Sequence, residues 1–276
     1  MTQITTADIT KLRKVTGAGL MDCKNALTEA EGNIDKAIEI IRKRGQAIAM
    51  KRSDRETTEG CVVARSSSDK RFVVMTALSC ETDFVAKNEG FIKVAEAIAD
   101  AALKHRPKNI DELKQISVDG VTINDMIMEK VAAIGERMDI ACYEFIEAEY
   151  VYSYIHFGSK IGSIVGFNKV IADEHVGKEI VMQITAQNPV AIDKDDVPQE
   201  IIEKELEIGK DQARKEGKPE DMVEKIALGK LNKFYKENTL LNQEYIGDSK
   251  MTVRQYLESV DKELKIVSFK RFSLVV

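Results

Sequence analysis

Residues 71–105 read RFVVMTALSCETDFVAKNEGFIKVAEAIADAALKH. The run RFVVMTALS reads as a buried strand, being short, nearly all apolar and rich in β-branched residues. The run GFIKVAEAIADAALKH reads as a helix, its apolar residues recurring every three to four positions. Between them stands CETDFVAKN (80–88), a join that should be polar, yet Phe84 follows Asp83 inside it. Phe84 either staples the helix start into the core or is held outward by rigid flanking elements as a recognition residue.

Outward from this unit the pattern stays mixed. GCVVARSSSDKRFVVMTALSC (60–80) reads as two strands around a Ser/Asp turn. The helix that follows ends near Arg106-Pro107, and residues 108–137 read as helical again, most clearly in TINDMIMEKVAAIGERM. IACYEFIEAEYVYSYIHFGSKIGSIVGFNKV (140–170) supplies three more strand-like runs, with FGSKIG as a glycine-marked hairpin. Asp173 can cap a helix reaching Asn188-Pro189. The middle of the chain is therefore expected to be α+β, with short antiparallel sheets and helices against them.

The two flanks are helical. Thr5 with Asp8 offers a capping box, and Ile9, Leu12 and Val15 share one face. TGAG at 16–19 breaks the helix, LMDCKNALTEAE makes a second, and Asn33 can cap a third that carries Ile34, Ala37, Ile38 and Ile41. KRSDRETTE (51–59) reads as a linker, or as a helix tail fraying into one. In the segment 198–237, Ile202, Leu206, Gly209 and Ala213 fall 4, 3 and 4 apart. EGKP then turns, and Val223, Ala227, Leu231 and Phe234 return. This predicts an antiparallel helical hairpin, either a solvated appendage or a contact arm for a second protein. KMTVRQYLESVDKEL (250–264) reads as a helix and KIVSFKRFSLVV (265–276) as a final strand. The expected divisions are 1–55 (bundle and linker), 56–142 (first core part), 143–197 with 238–276 (second core part) and 198–237 (inserted hairpin).

Composition narrows the function. The 276 residues include 41 basic and 46 acidic side chains, a net charge of −5. That balance does not suit a general nucleic-acid binder, which carries a basic excess. Four scattered cysteines (Cys23, Cys61, Cys80, Cys142) and three histidines (His105, His156, His175) lack metal-ligand spacing and fit a reducing cytosol. The N-terminal residues carry no apolar signal core, and no run approaches a membrane span. The expectation is a cytoplasmic protein without cofactor, nucleic acid or membrane.

No Ser/His/Asp or Cys/His arrangement argues for an enzyme, and TGAG lacks the Lys-Ser/Thr of a phosphate loop. His156 alone reads best as a sheet histidine. Leu20 and Met21 stand out beside Phe84. They are adjacent on a helix, so they diverge by ~100°, and one of them should face outward.

LRKVTGAGLMDCKNAL (12–27) and ETDFVAKN (81–88) together resemble the two signature motifs of the elongation factor Ts family. The resemblance continues through HFGSKIG, QNP and EGKPEDMVEKIALGKLNKF, and so covers nearly the whole chain. Ser79, Gln183 and Gln187 depart from the residues common at those places. Some members carry an extra C-terminal helical module. The resemblance implies a ubiquitin-associated-like three-helix domain, a two-part α+β core and an inserted hairpin. It implies a guanine-nucleotide exchange factor for elongation factor Tu, acting by binding and staying bound until GTP enters. Thr82, Asp83, Phe84 and Val85 would displace the partner's Mg²⁺. Leu12, Leu20, Met21, His156, Gly158 and Gly162 would meet the partner elsewhere. A homodimer or a dimer of such complexes is compatible with it. The competing readings are a chaperone-like or ubiquitin-associated-type interaction protein working through its first 50 residues and, with least support, a small-molecule enzyme.

Overall fold

The computed structural model describes residues 4–275. Three helices open the chain: α1 (Thr6–Thr16), α2 (Leu20–Glu29) and α3 (Ile34–Lys51). Thr5 and Asp8 form the expected capping box, and Asn33 accepts from the Lys36 N–H at 3.0 Å. Leu12, Cys23, Ala26, Leu27, Ala37 and Ile41 close the bundle core. The bundle is not free-standing, because α3 lies against a later helix, α7 (Ile123–Ile134). A Cβ at Gly45 would fall 2.1 Å from the Met128 carbonyl oxygen, so only glycine permits this approach. Arg42 ties the same two helices through Glu129 at 2.7 Å and Asp125 at 3.4 Å.

Next come β1 (Glu59–Ser66), β2 (Phe72–Cys80), the single-turn α4 (Asp83–Ala86) and α5 (Glu89–His105). Then follow α6 (Ile110–Gln115), β3 (Ser117–Val118), β4 (Val121–Thr122), α7 (Ile123–Ile134) and β5 (Met138–Glu147). The first sheet has the order β1-β2-β5 and is antiparallel throughout. Every residue of β2 is buried because both its faces are covered. Phe72, Val74, Leu78 and Cys80 face α5 and α7, while Val73, Met75 and Ala77 face a second sheet. On α5 the buried set Phe91, Val94, Ala95, Ile98, Ala99 and Ala102 follows a helical stripe against the first sheet.

The second sheet, in the order β10-β7-β6, joins β6 (Tyr150–Ile155), β7 (Ile161–Phe167) and β10 (Ile266–Ser273). Its outer face packs α8 (Glu174–Gln187) and α11 (Val253–Val260) through Ile180, Val181, Ile184, Val253 and Leu257. Between α8 and α11 run α9 (Gln199–Lys215), α10 (Glu220–Asn238), β8 (Glu244–Tyr245) and β9 (Asp248–Thr252). Gln183, at one of the departures from the family pattern, is fully buried with both ends of its amide engaged. It donates to Gln243 Oε1 at 3.1 Å and accepts from the Ile246 N–H at 2.9 Å. The chain is thus α+β, layered as helices, sheet, sheet, helices, with the α9–α10 hairpin at one side of the second half.

Three readings of the sequence need adjustment. The stretch 108–137 is not all helix, because Asp119 (φ 52°) and Gly120 (φ 85°) form a two-residue turn between β3 and β4. The helix expected from 250 starts at Val253, where Thr252 and Gln255 make a capping box, and β9 precedes it. The expected division after 142 falls inside β5, which runs along β2 as far as Glu147, so the change of sheet comes at the following turn.

Candidate partner-docking site

Phe84 lies on α4, whose four residues join β2 to α5. Its side chain is 83% exposed, whereas the next residue, Val85, is buried in the core under the first sheet. The turn is fastened on both sides of the phenylalanine. Before it, Glu81 accepts from Arg52 at 2.8 and 3.0 Å and from the Arg137 N–H at 2.7 Å. Burial pushes the Glu81 carboxyl up, but these donors outweigh it and hold the group below the usual carboxylate range. The Arg137 guanidinium donates in turn to the carbonyls of Ser53 and Arg55, binding down the segment expected to be a loose linker.

Thr82 donates its N–H to Glu136 Oε2 at 3.1 Å and its hydroxyl to Glu136 Oε1 at 2.7 Å. The Cys80 thiol donates to the Thr82 carbonyl at 3.3 Å. Burial, then the Glu136 and Glu59 carboxylates, push that thiol up to about 12, so it stays a protonated donor. Across the phenylalanine, Asp83 just before it pairs with Lys87 after it at 2.7 Å, one helical turn away. The hydrogen bond from that ammonium holds the Asp83 carboxyl below its usual range. Asn88 closes the unit by capping α5 through the N–H groups of Gly90 and Phe91.

Leu20 and Met21 begin α2 and are 52% and 60% exposed. Leu20 shares a stripe with Cys23 and Leu27 but lies one turn outside the buried cluster, so both side chains of the pair reach solvent. Lys130 of α7 lies close to both the α1–α2 turn and the start of α5. A Cβ at Gly17 would fall 3.7 Å from Lys130 Nζ, and a Cβ at Gly90 3.2 Å from the same atom.

His156, Phe157 and Gly158 form the exposed end of the β6–β7 hairpin, where Gly158 (φ 87°) and Ser159 (φ 54°) turn the chain. His156 Nδ1 lies 3.1 Å from the Tyr154 hydroxyl. The turn leans on the first sheet through the Val62 N–H to the Ser159 carbonyl at 2.7 Å and through Lys160 to Glu59 at 2.6 Å. Phe157, not singled out from the sequence, is 97% exposed. Its signal was the same as that of Phe84, an aromatic at a join that should be polar.

Two expected partner-binding residues have no surface to offer. Leu12 is fully buried because it centres the three-helix core. Gly162 lies within β7, where a Cβ would already fall 2.7 Å from Ile155 and 2.9 Å from Val62, so its role is close packing of the sheets. Glu81, Glu136, Arg52 and Arg137 were missed from sequence. No local pattern marks a pairing across 54 residues, the separation of Thr82 and Glu136.

These features present apolar side chains at rigid joins. Among the described residues no cluster of His, Cys, Asp or Glu could hold a metal ion, and no helix is long and apolar enough to cross a membrane. The family model for elongation factor TS matches residues 81–275. An elongation factor Ts of Porphyromonas gingivalis is 49% identical over 273 residues, covering 98% of each chain. That of Amoebophilus asiaticus is 49% identical over 270 residues, 97% of this chain and 98% of its own. That of Christiangramia forsetii is 46% identical over 275 residues, 99% of this chain and all of its own. The chain belongs to the elongation factor Ts family, the guanine-nucleotide exchange factors of translation elongation.

Proposed function

We propose that this chain binds GDP-loaded elongation factor Tu, displaces its Mg²⁺ with the Thr82–Val85 turn and promotes GDP release. The observation that carries this reading is Phe84, a large aromatic held out at 83% exposure by a turn whose neighbours are fixed. An exposed phenylalanine stabilises nothing in the free chain, so its use lies in a partner. In this reading Phe84 enters between side chains of the partner's nucleotide-binding domain. Asp83 secures the turn, and the partner's phosphate-binding loop shifts until Mg²⁺ coordination is lost. Leu20 and Met21 dock beside it on the same domain, and the His156–Gly158 turn reaches a more distal one.

The action is binding without bond chemistry. A factor that holds the nucleotide-free GTPase more tightly than the GDP form must weaken GDP by the same factor. Burying one phenylalanine supplies ~1.5–3 kcal/mol, about ten- to a hundred-fold in affinity. Loss of Mg²⁺ and docking of the flanking surfaces must supply the rest, which gives a broad platform around a small wedge its purpose. The packing of α3 on α7 speaks against an independent N-terminal interaction module. The test is release of labelled GDP from loaded elongation factor Tu with and without the chain. No acceleration at saturating concentrations would sink the reading.

A further inference from the structure

We propose that Glu136 is a positioning residue that aims Phe84, a role that rests on the exchange reading above. α4 cannot orient itself. It has four residues, one buried side chain and too few internal hydrogen bonds to persist alone. The direction of Phe84 is therefore set by what grips the residues around it.

Thr82 stands at the N-cap of α4 in extended conformation (φ −123°, ψ 153°), where a threonine hydroxyl ordinarily accepts from the helix's first N–H groups. Here it makes no such bond. Its hydroxyl and its N–H both donate to the Glu136 carboxylate, at 2.7 and 3.1 Å. The usual cap is forgone in favour of a tie to a residue distant in sequence. Two bonds from one residue to one carboxylate fix rotation as well as distance.

Glu136 is itself held. α7 ends at Gly135 (φ 84°), whose N–H donates to the Val131 carbonyl at 2.8 Å, and the glycine is needed for that left-handed cap. Arg137 gives its N–H to Glu81, and Met138 opens β5 opposite Cys80. The carboxylate is thus carried between the end of α7 and the start of β5, and β5 pairs there with β2, the strand that leads to Phe84. Among the described residues Glu136 forms no ion pair, so its carboxylate is committed to the turn rather than to a surface salt bridge.

The experiment measures GDP release from loaded elongation factor Tu against concentration of the chain. It yields a maximal rate and a half-saturating concentration. The proteins are wild type, Glu136→Gln, Thr82→Val, Phe84→Ala and the double variant Glu136→Gln/Phe84→Ala, with melting midpoints measured alongside. Removing a bond to a charged group should lower the maximal rate of Glu136→Gln about tenfold. The half-saturating concentration should change less than about twofold, because the other docking surfaces are untouched. Thr82→Val keeps the N–H bond and should fall between Glu136→Gln and wild type. In the double variant Glu136→Gln should slow release no further than Phe84→Ala alone, since no wedge remains to be aimed. A normal maximal rate in folded Glu136→Gln alongside slow Phe84→Ala overturns the positioning role alone. Factors that multiply in the double variant also overturn it, and Thr82→Val decides if Glu136→Gln fails to fold. A wild-type chain that does not speed release overturns the exchange reading and this role with it.

Discussion

The α4 turn and the α9–α10 hairpin both present helical side chains to solvent, and they are held in opposite ways. α4 owes its place to residues remote in sequence: Val85 in the core, Glu81 on Arg52 and Arg137, Thr82 on Glu136. The hairpin is held by its own seam of Gly209, Ala213, Val223, Ala227 and Leu231. Its two arms are also joined by Arg214–Glu220 at 2.8 Å and Lys230–Glu216 at 3.4 Å. A short element gripped on all sides can hold one side chain at a fixed angle. A long self-sufficient element can be moved or removed without disturbing what lies beneath. Turn and hairpin are thus mechanically different, and the wedge proposed for the one and the self-contained arm proposed for the other can each be tested.

The sharpest test is Phe84→Ala. At 83% exposure its loss should change stability by less than ~1 kcal/mol, as surface substitutions do. Catalysed GDP release should slow at least about tenfold, as loss of a hot spot of ~2 kcal/mol would require. Val85→Ala, one residue on, should show the reverse balance: roughly 2 kcal/mol of stability lost through the cavity left in the core. Chelating Mg²⁺ should shrink the acceleration, because the displacement is then already done. A destabilised Phe84→Ala with normal release would show that the turn is packing and not a wedge.

Next in size is Leu20→Ala with Met21→Ala. Both side chains are more than half exposed, so the melting midpoint should hold, while binding to elongation factor Tu weakens up to about tenfold. The maximal release rate at saturation should change little, because the wedge is intact. Titration calorimetry beside the release assay separates the two, and an unchanged affinity would remove the docking role.

A smaller effect is expected at Asp83. Its carboxyl is held below the usual range by Lys87, so the pair is formed at neutral pH. It is lost only as pH falls through that depressed value. Asp83→Ala should slow release a few-fold, at most about fivefold, the range of exposed ion pairs. Wild type should drift toward the variant's rate only as the medium is acidified below the usual carboxylate range. A variant equal to wild type at every pH would leave Asp83 without a part in the turn.

What the sequence disclosed follows the same division. The three-helix bundle, the hairpin and the β2–α5 join announce themselves through local period and caps, as with Thr5–Asp8, Asn33 and the 4, 3, 4 spacing from Ile202. From the residues alone Phe84 was legible as an anomaly open to two readings, and one of Leu20 and Met21 was expected to face outward, whereas both do. The clamp was not legible, because Glu81, Glu136, Arg52 and Arg137 look like ordinary surface charges until strand pairing brings residues 80 and 138 opposite one another. Leu12 and Gly162 failed for the complementary reason. Each stands within or beside a stretch expected to face the partner, yet burial is decided by the packing of whole elements. The β3–β4 and β8–β9 hairpins escaped notice because strands of two to five residues carry too little alternation to read.

The smallest expected effect is on the hairpin side of the comparison. Replacing residues 200–236 with a short Gly/Ser linker removes a seam whose partners all lie inside it. The root stays, because Asn238 accepts from the Val190 N–H at 2.8 Å and the Leu240 N–H reaches the Ala191 carbonyl at 2.9 Å. Gln243, which binds the carbonyls of Gln187 and Glu237, also stays. The melting midpoint should move by less than about 4 °C, equivalent to ~1 kcal/mol for a chain of this size. Far-ultraviolet dichroism should lose helical signal in proportion to the residues removed. Release driven by Phe84 should persist, since nothing in the clamp touches α9 or α10. A core that melts early, or a wedge that stops working, would mean that the hairpin is not self-contained. The second sheet would then depend on it, as α4 depends on Glu136.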